Sequence, residues 1–160
     1  MDVDREREIL RRRLLGRGLA VMPVHGGLDL GRDLVLAAQG DPPARDFVTV
    51  AGIDNLAQAL TIALTTPLTG DVFNVDFGFD GLNALAEETS PVMVQERIRI
   101  AVVTLLKKDP RVRRIVDVQL QDGRLLSPGA NTRELEVRVV FETITADTTS
   151  VELGKVVPNA

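Results

Sequence analysis

The chain has 160 residues, a formal net charge of −4 and 44% hydrophobic side chains, which suits one domain with a modest appendage and a real core. The acidic balance argues against a nucleic-acid-binding protein, because a basic surface supplies most of the affinity for phosphate. The chain contains no Cys, Trp or Tyr, which excludes disulfides, thiolate nucleophiles and Cys-ligated zinc and removes the aromatic platforms that sugar-binding sites favour.

Residues 4–15 predict a short solvated helix that ends near Gly16 or Gly18. Glu8 precedes Arg12 by four residues, the spacing of a helical ion pair. Arginines are frequent between residues 5 and 13 and are compatible with an RNA contact, but the interleaved acids favour a solvated helix face.

The amino terminus is charged where a signal peptide needs an apolar core, and the longest apolar run, residues 100–106, is too short to span a bilayer. We therefore expect a cytoplasmic protein that makes no membrane contact.

Residues 26–52 consist of short apolar pieces broken by Gly and Pro. Residues 33–37 and 47–50 predict a hairpin across the turn at residues 40–43. We interpret residues 1–52 as an N-terminal extension, residues 53–146 as the main domain and residues 147–160 as a tail.

Two helices are predicted in the main domain. The first runs over residues 54–64, with Asp54 as its cap, and the second follows Ser90 and Pro91 and ends at Asp109. Between them, residues 71–79 predict an ordered loop whose Phe rings fill the core. Apolar side chains at helical spacing are expected in the core: Leu56, Ala59, Leu60 and Ala63 in the first helix, and Val94, Ile98, Ala101, Val102 and Leu105 in the second.

Two strands close the predicted domain. Val116, Val118 and Leu120 alternate with polar residues, and so do the apolar residues of 134–141. The order helix, helix, strand, strand predicts an α+β fold in which two core helices pack on one face of a small, mainly antiparallel sheet.

No constellation for catalysis, cofactor or metal binding stands out. His25 is the only histidine, and a catalytic dyad or a His-based metal site needs a partner beside it. The alternative is a peptidoglycan hydrolase with paired carboxylates across a sugar. Its candidate acids lie before the second helix and in the Phe-rich loop: Glu87, Glu88, Asp71, Asp76 and Asp80.

The chain resembles the baseplate-wedge and sheath-initiator family of contractile phage tails, type VI secretion systems and extracellular contractile injection systems, over about residues 28–143. Short segments in a fixed order carry the resemblance: residues 54–60, Thr66-Pro67, Gly70-Asp71, Phe77-Gly78 and Asp109-Pro110-Arg111. The family is also labelled lysozyme-like, which is the source of the hydrolase alternative.

The resemblance implies a structural role in a baseplate and no enzymatic activity or cofactor. Its partners would be the sheath protein, the wedge proteins of the core bundle and the inner tube or its initiator, with about six copies in each six-fold baseplate. A soluble interaction domain outside any injection machine is a third reading of the same sequence.

Two partner-binding sites follow from these patterns. Asp109, Pro110, Arg111 and Arg113 form a rigid turn whose Arg111 guanidinium suits a bidentate contact with a partner carboxylate, although a solvated base is the simpler reading. The second site is the strand that carries Glu134, Glu136, Arg138, Val140 and Glu142. Its edge would accept a strand from a sheath subunit, unless residues 143–149 fold back and cover it.

Overall fold

The fold was analysed in a computed structural model that describes residues 3–24, 32–40, 43–81, 87, 90–122 and 135–156. The chain divides into two compact units, Met1–Ala59 and Leu60–Ala160, each considered separately below. Helices and a small antiparallel sheet share the second unit, so the predicted α+β class is confirmed.

The first unit begins with helix α1 (Val3–Leu15). The Arg12 side chain donates to Glu8 at 2.9 Å, as the four-residue spacing predicts. The helix ends at Gly16, whose φ of +83° favours glycine. The buried Asn55 side chain donates to the Leu15 carbonyl at 3.0 Å, and a Cβ atom at Gly18 would lie only 2.7 Å from its Oδ1 atom.

Three two-stranded antiparallel ribbons complete this unit. They pair β1 (Arg17–Leu19) with β6 (Thr49–Ala51), β2 (Val21–Pro23) with β3 (Arg32–Leu34), and β4 (Leu36–Gln39) with β5 (Ala44–Phe47). The last pair spans the predicted turn but differs from the predicted hairpin, because residues 33–34 pair with β2 and residues 49–50 pair with β1. The other two ribbons were not anticipated from the sequence.

A ring of three hydrogen bonds joins the ribbons. Ala20 N–H donates to Val48 O at 2.8 Å, Val48 N–H to Val35 O at 2.9 Å, and Val35 N–H to Ala20 O at 3.0 Å. Each of the segments 17–23, 32–39 and 44–51 therefore pairs with one segment before its junction residue and with the other segment after it. The three ribbons, here called arms, extend outward from this junction. The Gln58 side chain accepts from Val21 N–H at 2.9 Å and donates to Leu19 O at 2.8 Å, which satisfies the main chain on either side of Ala20.

Helix α2 (Ile53–Thr65) and helix α3 (Pro91–Lys108) match the predicted helices. Asp54 lies in the first turn of α2 and does not precede it, because the helix already starts at Ile53. Six members of the predicted apolar stripes are buried: Leu56, Leu60 and Ala63 in α2, and Ile98, Val102 and Leu105 in α3.

The Phe-rich loop differs from its prediction. Phe79 is buried and its backbone pairs with Thr66 and Leu68, whereas Phe73 is fully exposed (101%). The Asp71 carboxylate accepts a hydrogen bond from Phe73 N–H at 2.9 Å. This bond fixes a turn that directs Phe73 away from the core.

The sheet of the second unit has three antiparallel strands in the order β7 (Val112–Asp122), β8 (Leu135–Thr143) and β9 (Thr148–Val156). Residues 148–156, expected to form a tail, are thus a strand. The buried face of the sheet is apolar and carries Val118, Val137, Val139, Phe141 and Val151.

Val116 was expected in the core and is 52% exposed, whereas Val118 is 8% exposed. A β-bulge explains the difference. Ile115 lies opposite Phe141 and Asp117 lies opposite Val140, so Val116 is the extra residue and the inward positions change phase at that point.

Candidate partner-binding surfaces

The Asp109-Pro110-Arg111 turn follows directly from the end of α3. Asp109 caps the helix with an extended backbone, and its carbonyl accepts Val112 N–H at 3.0 Å. The Asp109 carboxylate binds Arg111 three times: Oδ1 accepts from the backbone N–H and from Nε, each at 2.9 Å, and Oδ2 accepts from Nη2 at 2.6 Å. Pro110 is exposed at the tip of this turn.

Burial raises the pKa of the Asp109 carboxyl, but the hydrogen bonds and charge of Arg111 outweigh it, and the pKa lies below its ordinary value. The same hydrogen bond has the opposite effect on its donor, because it raises the pKa of the Arg111 guanidinium. The pair is ionised at neutral pH and its side chains are partly buried.

The predicted bidentate contact of Arg111 with a partner is therefore made inside the chain, where Nε and Nη2 bind Asp109. Arg113 has a different partner. It and Arg114 both reach Glu142, at 3.1 and 3.0 Å, because the strand is irregular between Val112 and Arg114. The turn therefore combines a preformed ion pair with an exposed proline.

The expected open edge on residues 134–142 is wrong. β8 is the central strand, with β7 on one side and β9 on the other. The alternative weighed from the sequence, in which residues 143–149 fold back over this strand, is only partly observed, because the covering strand is Thr148–Val156 and residues 144–147 form the turn that leads to it. The signal in the sequence is the run Thr148-Thr149-Ser150-Val151, which is rich in β-branched side chains.

The remaining residues predicted at this site lie on the outer face of the sheet. Arg138 faces Glu152 of β9 at 3.5 Å, Glu136 and Val140 are partly exposed, and Glu142 binds the arginines of β7. Glu134 is outside the described residues. Cross-strand ion pairs connect the strands on this outer face, and each contributes little to the free energy of folding at an exposed position.

Within the described sheet, β7 and β9 are the two edges. β7 carries two irregularities and outward charges, which are common means of blocking strand addition. The pairing of β9 with β8 is regular from Thr148 to Leu153 and the segment contains no Pro. The less protected edge is therefore that of β9.

The direction of the main-chain groups follows from the turn between β8 and β9. Thr143 N–H donates to Asp147 O at 2.9 Å, and hydrogen-bonded pairs alternate with non-hydrogen-bonded pairs along an antiparallel ladder. Thr143 and Asp147 form a hydrogen-bonded pair, so every second pair from there, including Val139 with Val151, also exchanges hydrogen bonds. Ser150 lies in a pair between these, so its N–H and C=O groups point to the free edge of β9. Those of Val140, opposite Ser150, point to β7.

The described candidate hydrolase acids have different local partners. Asp71 holds the turn at Phe73, and Glu87 accepts from Arg97 at 3.1 Å on the surface. A groove of about 260 Å³ runs beside α3, and Asp80 is the acid among its lining residues. His25 and Glu88 are outside the described residues.

The described residues contain no group of three or more His, Cys, Asp or Glu side chains arranged to hold a metal ion. In the same residues, no helix combines the length and the apolar character required to cross a bilayer.

No protein-family model matches the chain, and no curated protein matches it. Among solved structures, the chain is similar to a protein from Geobacter sulfurreducens that is provisionally described as a tail lysozyme. The sequences are 16% identical, the TM-score is 0.49, and the match covers 67% of this chain and 91% of that one. At that identity and TM-score the likeness assigns no family and no function to this chain.

Proposed function

We propose that the chain is a non-enzymatic baseplate component of a contractile injection machine and that the first ring of sheath subunits assembles on its C-terminal sheet. The ordered segments that resemble the sheath-initiator family support this role, among them residues 54–60 and 109–111. The observation that carries the proposal is the regular edge of β9, whose outward main-chain groups face no other strand of the described sheet.

Strand addition at β9 rests on main-chain hydrogen bonds, which contribute about 0.5–1.5 kcal/mol each in water. Several such bonds along Thr148, Ser150 and Glu152 supply affinity for the first sheath subunit, and the side chains beside the added strand set its register. The outer face supplies selectivity, because Glu152 of β9 presents its charge beside the incoming strand, while its partner Arg138 lies one strand farther away on β8.

The Asp109-Pro110-Arg111 turn is the proposed contact with the wedge proteins of the core bundle, in a baseplate that surrounds the inner tube. A turn whose ion pair is already formed loses little conformational entropy on binding. Its exposed Pro110 also has a fixed φ angle, so the surface that a partner meets is rigid.

The edge is tested with Ser150→Pro, compared with Ser150→Ala as the matched control. Proline removes one outward N–H group and leaves the hydrogen bonds between β9 and β8 intact, whereas alanine retains that group. We expect Ser150→Pro baseplates to nucleate about tenfold fewer sheaths, as counted by electron microscopy, because one edge hydrogen bond and its neighbour are lost.

Thermal unfolding and the amount of each variant in purified baseplates establish that folding and incorporation are unchanged. If Ser150→Pro protein is incorporated normally and nucleates sheath at the wild-type rate, the sheath does not add a strand at β9.

A further inference from the structure

The three arms of the first unit share one exposed face, here called the junction face. Residues opposite each other in a ribbon share a side of it, and side chains alternate along each strand. Three pairs therefore surround the junction on one side: Leu19 with Thr49, Val21 with Leu34, and Leu36 with Phe47.

Burial supports this assignment. Leu19, Leu34, Leu36 and Phe47 are between 41% and 48% exposed. The residues at the junction, Ala20, Val35 and Val48, point to the other side and are less exposed. Gly18, also on that side, lies against Asn55 of α2.

An arginine stands on the junction face farther out along each arm. Arg17 pairs with Ala51, Arg32 with Pro23, and Arg45 with Ala38, and all three arginines are exposed. The acids of the arms, Asp33 and Asp46, alternate to the opposite side. The junction face thus has an apolar centre and a positive rim, which is the anatomy of a protein interface.

The second unit presents a surface of matching chemistry. Val72, Phe73 and Val75 form an apolar tip between Asp71 and Asp76, and residues 71–80 contain no basic side chain.

This tip is held in one conformation. Besides the bond from Phe73 N–H to Asp71, Phe77 N–H donates to Asn74 O at 3.0 Å, and the Lys108 ammonium donates to Asp76 O at 3.2 Å. A preformed loop with an exposed aromatic ring loses little freedom on binding and suits the role of an interface anchor.

We infer that residues 71–76 of one copy dock on the junction face of a second copy, with Phe73 over the apolar centre and the two aspartates near the arginine rim. Each copy has one tip and one face, so the contact is heterologous and joins copies head to tail. The inference is independent of the baseplate proposal, because it depends only on two surfaces of this chain.

The test uses two full-length variants, each with one surface disabled. Phe73→Ser removes the tip at a fully exposed position, and Arg32→Glu/Arg45→Glu reverses the rim. In sedimentation velocity at rising micromolar concentration, wild-type protein should form oligomers that dissociate at high salt, and each variant alone should remain monomeric. An equimolar mixture should form a heterodimer and no larger species, because one intact tip and one intact face remain.

Arg7→Glu/Arg13→Glu is the control for net charge, since both arginines are exposed on α1 of the same unit. It should associate as the wild type does. Circular dichroism verifies that every variant is folded. Wild-type protein that stays monomeric at all concentrations would overturn the inference and assign the junction face to a different protein or an anionic surface. So would a mixture of the two folded variants that does not associate.

Discussion

The Asp109–Arg111 pair shows how a helix end is converted into a rigid surface feature. Pro110 cannot continue α3, and the short loop brings Arg111 back to the carboxylate two residues before it. Because the side chains are partly buried, a carboxylate without a partner here would be costly, and the hydrogen bonds from Arg111 lower the pKa of Asp109.

This pair makes stability depend on pH. The folded-state pKa of Asp109 is lowered, so the ionised carboxylate stabilises the fold above its ordinary pKa of about 3.9, and that contribution is lost as pH falls through the folded-state value. Arg111→Ala should lower the free energy of unfolding by about 2 kcal/mol at neutral pH and by less at an acidic pH below the folded-state pKa of Asp109, where the wild-type carboxyl is also protonated.

Urea unfolding at the two pH values measures this difference, and a carboxyl-carbon NMR titration should show a higher pKa for Asp109 in Arg111→Ala. Arg111→Lys keeps the positive charge but not the two parallel donors of the guanidinium, so we expect an intermediate loss in the free energy of unfolding. An equal loss of stability at both pH values would mean that packing of the Arg111 stem, and not the ion pair, stabilises the turn.

At the scale of single elements, the bulge in β7 determines which valines belong to the core. Val118→Ala should destabilise the fold by about 2 kcal/mol, because it removes buried methyl groups. Val116→Ala should change the free energy of unfolding by no more than about 0.5 kcal/mol. Chemical denaturation of both variants measures the contrast, and equal losses would place Val116 in the core and remove the bulge.

The sequence was most informative where one local pattern dominates. The stripe that includes Ile98 and Val102 predicted α3, and Pro91 and Asp109 marked its ends. Alternation in 116–121 predicted β7 but not its change of phase, because a bulge adds one residue without a distinctive composition.

The elements missed from the sequence depend on contacts between distant residues. The ring formed by Ala20, Val35 and Val48 joins segments that are each too short to show a clear period. β9 was taken for a tail because its polar threonines resemble a solvated end, although pairing with β8 covers one side of them. The expected open edge was consequently displaced by one strand, from Val140 to Ser150.

At the scale of the whole molecule, two functions are compared: a non-enzymatic assembly protein and a peptidoglycan hydrolase. A glycosidase needs two carboxylates that face each other across a sugar, with the pKa of one raised by burial. Among the described candidate acids, Asp71 stabilises a turn, Glu87 is paired with Arg97, and Asp80 is the acid among the described lining residues of the groove beside α3. The absence of Trp and Tyr from the sequence also deprives a glycan of its usual stacking partners.

We therefore expect purified full-length protein to release no soluble fragments from peptidoglycan at any pH between acidic and neutral. An active lysozyme on the same substrate provides the positive control, and Asp80→Asn and Glu87→Gln provide matched variants that keep the side-chain shape. Release by the wild type that disappears in either folded variant would identify a catalytic acid and contradict the assembly role. Weak release that is unchanged in both variants would require another pair of carboxylates, and the same substitution test applied to Asp71 and Asp76 would then decide whether the Phe-rich loop supplies it.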